Sequence, residues 1–193
     1  MSRRRTSIHE QCRLGTGMAW RNMTRWLAHL EKEGELLRIT EPVDVELEAG
    51  AIADRLVKSG GKAVLFEKPR LPNGEISEIP LAMNLFGSHD RTLRALGASH
   101  PTEVGDRLVA LMKPDIGGIV KKPWTGLPLL RGAISMPPKK VWRGSCQRVK
   151  MDVDVTKLPI PKTWPMDGGR YITLPLVVTK GPNSGEHNLG MYR

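Results

Sequence analysis

The sequence predicts an α+β protein: an N-terminal α/β domain over residues 18–112, then the opening strands of a β-barrel or sandwich over residues 139–193. Three observations carry this prediction. Apolar residues recur at helical spacing in the first half, with short β-branched or apolar runs between them. Residues 113–138 lose all periodicity and are rich in Gly, Pro and Lys, as a connector would be. From Val141 onward, β-branched residues and prolines dominate.

In the first block, Trp20, Met23, Trp26, Leu27 and Leu30 share helical spacing, and Gly34 is placed to stop that helix. Leu36 to Ile39 reads as a short strand closed by Pro42. Glu46 to Lys58 is the clearest amphipathic helix: Ala49, Ile52, Ala53, Leu56 and Val57 share a face, and Ser59-Gly60-Gly61 supplies the stop. Ala63 to Phe66 reads as a buried strand. Pro72-Asn73-Gly74 marks a turn before a further strand at Leu81 to Asn84. Arg91 to Leu96 and Thr102 to Met112 read as helices, with Thr102 as N-cap and Glu103 at the positive end of the dipole. In the second block, Val141-Trp142, Gln147 to Lys150, Tyr171 to Lys180 and Leu189 to Arg193 are the strand candidates. Prolines 159, 161, 165 and 175 mark edges or bends.

Composition bounds the function classes. Of 193 residues, 39% are hydrophobic and 26% charged, an ordinary balance for a packed, water-soluble chain. No apolar run approaches the roughly 20 residues needed to span a bilayer, which leaves only peripheral membrane association open. Cys12 and Cys146 are the only two cysteines and fit no metal or redox spacing, so a reducing cytoplasm is expected. The net charge is +10, but the basic residues are dispersed and no aromatics interleave with them. That argues against nucleic acid as a partner and suits an enzyme handling anionic ligands. Residues 1–17 are Arg-rich and lack an apolar stretch, so they read as a disordered extension rather than a secretory signal.

The chemistry concentrates at the end. Cys146-Gln147, Leu158-Pro-Ile-Pro161, Trp164-Pro165, the run Asp167-Gly-Gly-Arg-Tyr-Ile-Thr-Leu-Pro-Leu176, and Asn188-Leu-Gly-Met-Tyr-Arg193 occur in that order. Together they resemble the UbiD family of decarboxylases. Leu30 to Ile39, Gly60-Gly61 followed by Leu65-Phe66-Glu67, and Asn84-Leu-Phe-Gly87 resemble that family's first domain. The resemblance runs from Met18 to Arg193. Asp167 to Thr173 and Gly190-Met-Tyr192 look most like the branch acting in menaquinone synthesis, with the ubiquinone branch next.

The resemblance implies a split β-barrel flavin-binding domain after the α/β domain, of which residues 139–193 are the first part. It also implies a carboxy-lyase acting on an aromatic carboxylic acid with prenylated FMN and a divalent metal, Mn2+ or Mg2+, with K+ a further candidate. Loss of CO2 from an aromatic acid leaves charge in an sp2 orbital that the ring cannot delocalise. An organic electron sink is therefore needed, and the protein supplies position and electrostatics. By resemblance, Asn188 is the metal ligand, a neutral hard oxygen donor. Arg193 is the catalytic arginine, able to fork onto a carboxylate. Asn188, Leu189, Gly190, Met191, Tyr192 and Arg193 line the cofactor, with Gly190 allowing close backbone approach. Implied partners are a flavin prenyltransferase that supplies the cofactor and further copies of the chain in a homo-oligomer.

An extended 188–193 segment would span roughly 16 Å, about the length of a flavin nucleotide. Its odd spacing, however, puts Asn188 and Arg193 on opposite faces of an ideal strand, so either the strand bends or Asn188 precedes it. Taken alone, an Asn before a Gly-containing strand is more often a turn residue, and a strand Arg a surface charge. His187 reads as a loop residue, Asp167 with Gly168-Gly169 as a tight turn at the pocket mouth, and Trp142 and Trp164 as core. Thr173 and Leu174 are further pocket candidates. The family's other metal ligands and its proton-transfer glutamates have no counterpart up to Arg193. The chain thus reads as a truncated N-terminal portion, inactive alone. The alternative is a non-catalytic fragment or a short subunit that completes its site with a partner chain.

Overall fold

The structure is a computed structural model that describes residues 20, 22–112, 141–144, 148–150, 152 and 154–193, with positions 127 and 134. The expected extension at 1–17, Cys12, Cys146, Gln147 and nearly all of the 113–138 connector lie outside the described residues. The architecture is mixed α+β with small sheets. The chain divides into two compact units, one of residues 1–29 and 86–152, the other of residues 30–85 and 153–193.

Helix α1 spans Met23–Lys32 and starts later than Trp20 because Asn22 caps it, its Oδ1 accepting from the Arg25 N–H at 3.0 Å. Gly34 ends it as expected, with φ 71°. The N–H groups of Gly34 and Glu35 return to the carbonyls of Glu31 and Leu30, which satisfies the helix's last acceptors. Strand β1 then runs over Leu36–Asp44, helix α2 over Glu48–Lys58 and strand β2 over Ala63–Arg70. β1 and β2 are parallel, and β3 (Leu81–Met83) adds antiparallel to β2. A strand–helix–strand crossover with a return strand thus forms the three-stranded sheet, in the order β1-β2-β3.

Pro42 does not close β1 as the sequence suggests. The register slips between Ile39 and Pro42, so one extra residue bulges out and the strand continues to Asp44. A bulge is where a residue without an N–H does least harm to a ladder. Pro69 is accommodated likewise, since β3 pairs only with Val64 to Phe66. The core is Val43, Ala49, Val64 and Phe66, with Ile39, Ile52, Leu56, Leu81 and Met83 packed on it. Val57 departs from its expected face and is exposed.

In the other unit, α3 (His89–Ala95) is capped by Ser88, whose Oγ accepts from the Arg91 N–H at 3.2 Å. Helix α4 covers Pro101–Met112. Thr102 therefore lies inside its first turn, and His100 takes the capping role, with Nδ1 accepting from the Thr102 N–H at 3.3 Å. Proline suits the first helical position because no N–H is needed there. Trp20, Trp26, His29 and Phe86 form an aromatic group with ring centroids 4.5–6.3 Å apart.

Among the described residues of the second block, strands form only at β4 (Val177–Lys180) and β5 (His187–Gly190), an antiparallel pair. Both are shorter than the sequence suggests, and Val141-Trp142 is not a strand. A short 3-10 turn at Val155–Lys157 is capped by Asp154. Leu158 to Pro161 then leads to a backbone clasp. The Lys162 N–H donates to the Val45 carbonyl at 3.1 Å, and the Lys162 carbonyl accepts from the Leu47 N–H at 2.8 Å. Thr163 lies directly against α2 at Gly50, where an added Cβ would stand 2.9 Å from the Thr163 Cα and carbonyl oxygen.

Gly50→Ala should therefore lower stability by about 1–3 kcal/mol through forced backbone separation. Gly105→Ala, which meets nothing within 4 Å, should be neutral or stabilise by up to about 1 kcal/mol. Urea denaturation of the two variants compares these. A pH effect also follows from β1. Arg38 bonds Glu31 at 2.5 Å and Glu67 at 2.8 Å, and its hydrogen bond holds the Glu31 carboxyl below the usual carboxylate range. A lowered folded-state value contributes stability above the ordinary carboxylate pKa, and that contribution is lost as pH falls through the lowered value. Arg38→Met should flatten the acid limb of the stability–pH curve. The effect should be small because the groups are exposed, and urea midpoints measured from pH 6 down to pH 2 would read it.

Candidate functional site

The site residues are held from two directions, both within the unit of residues 30–85 and 153–193. From the clasp at Lys162 the chain enters a turn at Trp164–Asp167, in which the Asp167 N–H donates to the Trp164 carbonyl at 3.1 Å. Pro165 sits at the second position, where its fixed φ favours such a turn. Asp167 closes the turn reciprocally, its Oδ2 accepting from the Trp164 N–H at 2.9 Å. The turn expected at Asp167-Gly168-Gly169 thus starts three residues earlier, and Asp167 is its closing anchor. Tyr171 is tied to the same stretch, its N–H donating to the Pro161 carbonyl at 3.1 Å.

From the other direction comes the β4–β5 ribbon. Its connection is closed by the Gly181 N–H on the Glu186 carbonyl at 2.8 Å and by the Gly185 N–H on the Gly181 carbonyl at 3.0 Å. Lys180 pairs with His187, Thr179 with Asn188, Val178 with Leu189 and Val177 with Gly190. His187 is therefore the first strand residue, not a loop residue, because the ladder extends two positions earlier than the expected start at Leu189.

Asn188 lies within the strand, and the chain leaves the ladder after Gly190. The Asn188 Nδ2 donates to the Tyr192 hydroxyl at 3.3 Å. Four steps of a straight strand would separate the backbones of these residues by roughly 13 Å, and the long Tyr192 side chain reaches back over Gly190 toward Asn188. Gly190 makes this contact possible by close approach: a Cβ there would lie 2.4 Å from a Tyr192 ring carbon. The room over Gly190 is filled by this ring.

Arg193 then returns to the turn. Its Nη2 lies 4.0 Å from Asp167 Oδ1, and its Cζ lies 4.0 Å from the centroid of the Tyr171 ring. The Asp167 side chain is 17% exposed and that of Arg193 is 63% exposed. A sheltered carboxylate and an aromatic face thus hold one side of the guanidinium while the rest of its donor fork faces outward. Such a group is suited to binding a planar anion such as a carboxylate.

The described residues fit a hard divalent cation in kind but not in number. With Nδ2 engaged by Tyr192, the Asn188 Oδ1 is the oxygen that would face an ion, a suitable neutral donor. Among the described residues no three His, Cys, Asp or Glu side chains gather into a metal site. Mg2+ takes about six ligands, so the chain would supply a minority of them.

The structure brings together Asn188, Gly190 and Tyr192, whereas Arg193 meets Asp167 and Tyr171. Leu189 and Met191 are exposed. Trp142 and Trp164 are not core: they are exposed, and Trp164 carries Lys58 Nζ 6.0 Å from its ring centroid. Thr173 and Leu174 are exposed residues in a bend. Sequence reasoning missed the roles of Asp167 and Tyr171 toward Arg193. The only signal was their presence in one motif, and the separation of more than twenty residues concealed the contact.

Residues 27–112 match the 3-octaprenyl-4-hydroxybenzoate carboxy-lyase N-terminal domain, and residues 139–193 match the Rift-related domain of the same carboxy-lyase. Fold and matched domains define the class, a mixed α+β chain of the carboxy-lyase type. The chain belongs to the UbiD family and corresponds to its N-terminal portion.

An uncharacterised protein of Aquifex aeolicus (strain VF5) is 40% identical over 181 residues, covering 92% of this chain and 36% of its own length. Vanillic acid decarboxylase of Sedimentibacter hydroxybenzoicus, in its open form, matches with a TM-score of 0.64 and 24% identity, over 90% of this chain and 35% of that one. An evolved dimeric form of the UbiD-class enzyme HmfF from Pelotomaculum thermopropionicum, in complex with prFMN, matches with a TM-score of 0.50 and 22% identity, over 91% of this chain and 35% of that one. These likenesses show a shared fold. The chain spans about a third of the length of the relatives it matches. No helix among the described residues is long and apolar enough to cross a membrane.

Gly190→Ala should drive the Tyr192 ring aside and break its bond to Asn188. The measurement is the Asn188 side-chain amide resonance, which should move toward its position in Tyr192→Phe. An unchanged resonance in Gly190→Ala would show that the Asn188–Tyr192 contact does not depend on glycine.

Proposed function

We propose that this chain is the N-terminal part of a UbiD-type carboxy-lyase acting on an aromatic carboxylic acid, with Asn188 to Arg193 forming one wall of a prenylated-FMN site. The observation that most supports this reading is the outward-facing guanidinium of Arg193, backed by Asp167 and Tyr171. It sits on the same short segment as Asn188, whose side chain offers a neutral oxygen.

The Arg193 fork grips the substrate carboxylate and fixes its orientation. Its fixed positive charge stabilises negative charge that develops as the carboxylate is lost. Asn188 would contribute one oxygen to a Mn2+ or Mg2+ ion. Leu189, Met191 and Tyr192, all exposed, offer apolar and aromatic surface to the cofactor. When bound, prenylated FMN supplies the electron sink that no side chain provides.

The substrate class is an aromatic acid intermediate of quinone synthesis. The residues Asp167 to Thr173 favour the menaquinone type over the ubiquinone type. A flavin prenyltransferase supplies the cofactor, the complete protein assembles as a homo-oligomer, and the reaction is cytoplasmic.

A second reading is that this segment acts as a short subunit completing its site with a partner chain. It is favoured by the exposed apolar residues Leu176, Val178, Leu189 and Met191 on and around the β4–β5 ribbon. Co-purification of the tagged chain with a polypeptide that restores flavin binding would support it.

In the complete protein, Arg193→Ala should abolish CO2 release from hydroxy-aromatic acids while flavin stays bound. Asn188→Ala should weaken flavin and metal retention by roughly tenfold or more, in line with loss of a metal ligand. Absorbance of bound flavin, metal analysis and CO2 release read these outcomes. Wild-type-like turnover in either variant would remove that residue's role.

A further inference from the structure

We propose that Asp167 and Tyr171 are positioning residues for Arg193. A sheltered carboxylate and an aromatic face together hold the guanidinium so that its fork is presented to an aromatic carboxylate. This rests on the reading of Arg193 as the carboxylate-gripping residue and adds what fixes it in place.

Geometry carries the inference. Arginine loses about 2 kcal/mol of rotamer entropy when ordered, and an arginine with 63% of its side chain exposed has little packing to offset that loss. Two contacts do so here. Its Cζ stands 4.0 Å from the Tyr171 ring centroid, within the range of a cation–π interaction. Its Nη2 stands 4.0 Å from Asp167 Oδ1. At 4.0 Å the pair is an attraction rather than a hydrogen bond. Asp167 therefore orients the guanidinium without consuming its donors.

The two holders are fixed independently of Arg193. Asp167 is anchored through its other oxygen, which accepts from the Trp164 N–H at 2.9 Å, and its side chain is only 17% exposed. Tyr171 is anchored through the Pro161 carbonyl at 3.1 Å. Both anchors lead to the clasp of Lys162 on Val45 and Leu47. A rigid support made before the ligand arrives lowers the ordering cost of binding.

The charge on Asp167 has a second effect. A carboxylate ligand is drawn to Arg193 but repelled by Asp167, so only the outward side of the guanidinium is favourable for it. Asp167 thereby selects the side on which the anion sits.

The test uses Asp167→Asn, which keeps an oxygen for the Trp164 N–H and removes the charge, and Tyr171→Leu, with Tyr171→Phe as the conservative control. Two quantities are measured on the same protein: the order parameter of the Arg193 Nε–H by NMR relaxation, and the affinity for benzoate by titration. Asp167→Asn and Tyr171→Leu should each lower the order parameter toward that of a free arginine and change the benzoate affinity by severalfold. Tyr171→Phe should leave both near wild type.

An unchanged order parameter in Asp167→Asn and Tyr171→Leu would overturn the proposal. Failure of the underlying reading has a different signature. Arg193→Ala would then leave benzoate affinity unchanged, whatever the order parameter does in the other variants. Where Tyr171→Leu lowers the whole unfolding transition, the order parameter in Asp167→Asn alone decides.

Discussion

The site depends on the backbone clasp between Lys162 and the loop leading into α2. Lys162 donates to Val45 and accepts from Leu47, and Thr163 rests against Gly50 of the helix. The loop geometry is itself unusual. Leu47 has φ 67° and ψ −44°, and the Glu48 N–H returns to the Glu46 carbonyl at 2.8 Å, so Leu47 is the centre of a strained γ-turn. A branched side chain at positive φ persists only where its surroundings hold it. Here the holding contacts include the bond from the Leu47 N–H to Lys162. Strain in the loop and order in the 158–171 segment are therefore one arrangement.

Everything that orients Arg193 follows from that contact. The Trp164–Asp167 turn begins two residues after Lys162, and Tyr171 is bonded to Pro161 one residue before it. A carboxylate and a ring from this short stretch then meet a guanidinium that arrives from the end of the β4–β5 ribbon. The α/β sheet is thus the foundation of the site although it contributes no group to it. Such division is usual where a rigid scaffold positions functional residues on loops.

Local chemistry made much of the fold legible. Gly34 and Gly60 end their helices because a residue at positive φ is needed there, and both take it, at 71° and 65°. Ala63 to Phe66 is buried as its apolar run implied. Reading failed where one local rule met a tertiary exception. Pro42 ought to end β1, but the bulge before it lets the ladder resume. Trp142 and Trp164 are large and apolar, yet hydrophobicity alone does not say which surface will cover them, and both are exposed. Thr102 has the right chemistry for a cap, but Pro101 starts the helix earlier and His100 takes the position.

The candidate site divides in the same way. The sequence by itself determined the family, the motif order, and Asn188 and Arg193 as the residues of interest, because these are properties of residues close together in the chain. It also posed the face problem, since an odd spacing cannot bring both side chains to one side of a straight strand. Only the tertiary structure decided what each side chain meets: Tyr192 lies over Gly190 and bonds Asn188, while Arg193 reaches Asp167. It alone revealed that Asp167 and Tyr171 support Arg193. Periodicity and turn propensity describe what a segment does with its neighbours. The contact between residues 167 and 193 exists because a clasp at residue 162 and a ribbon at 177–190 converge in space, and no local preference encodes that convergence.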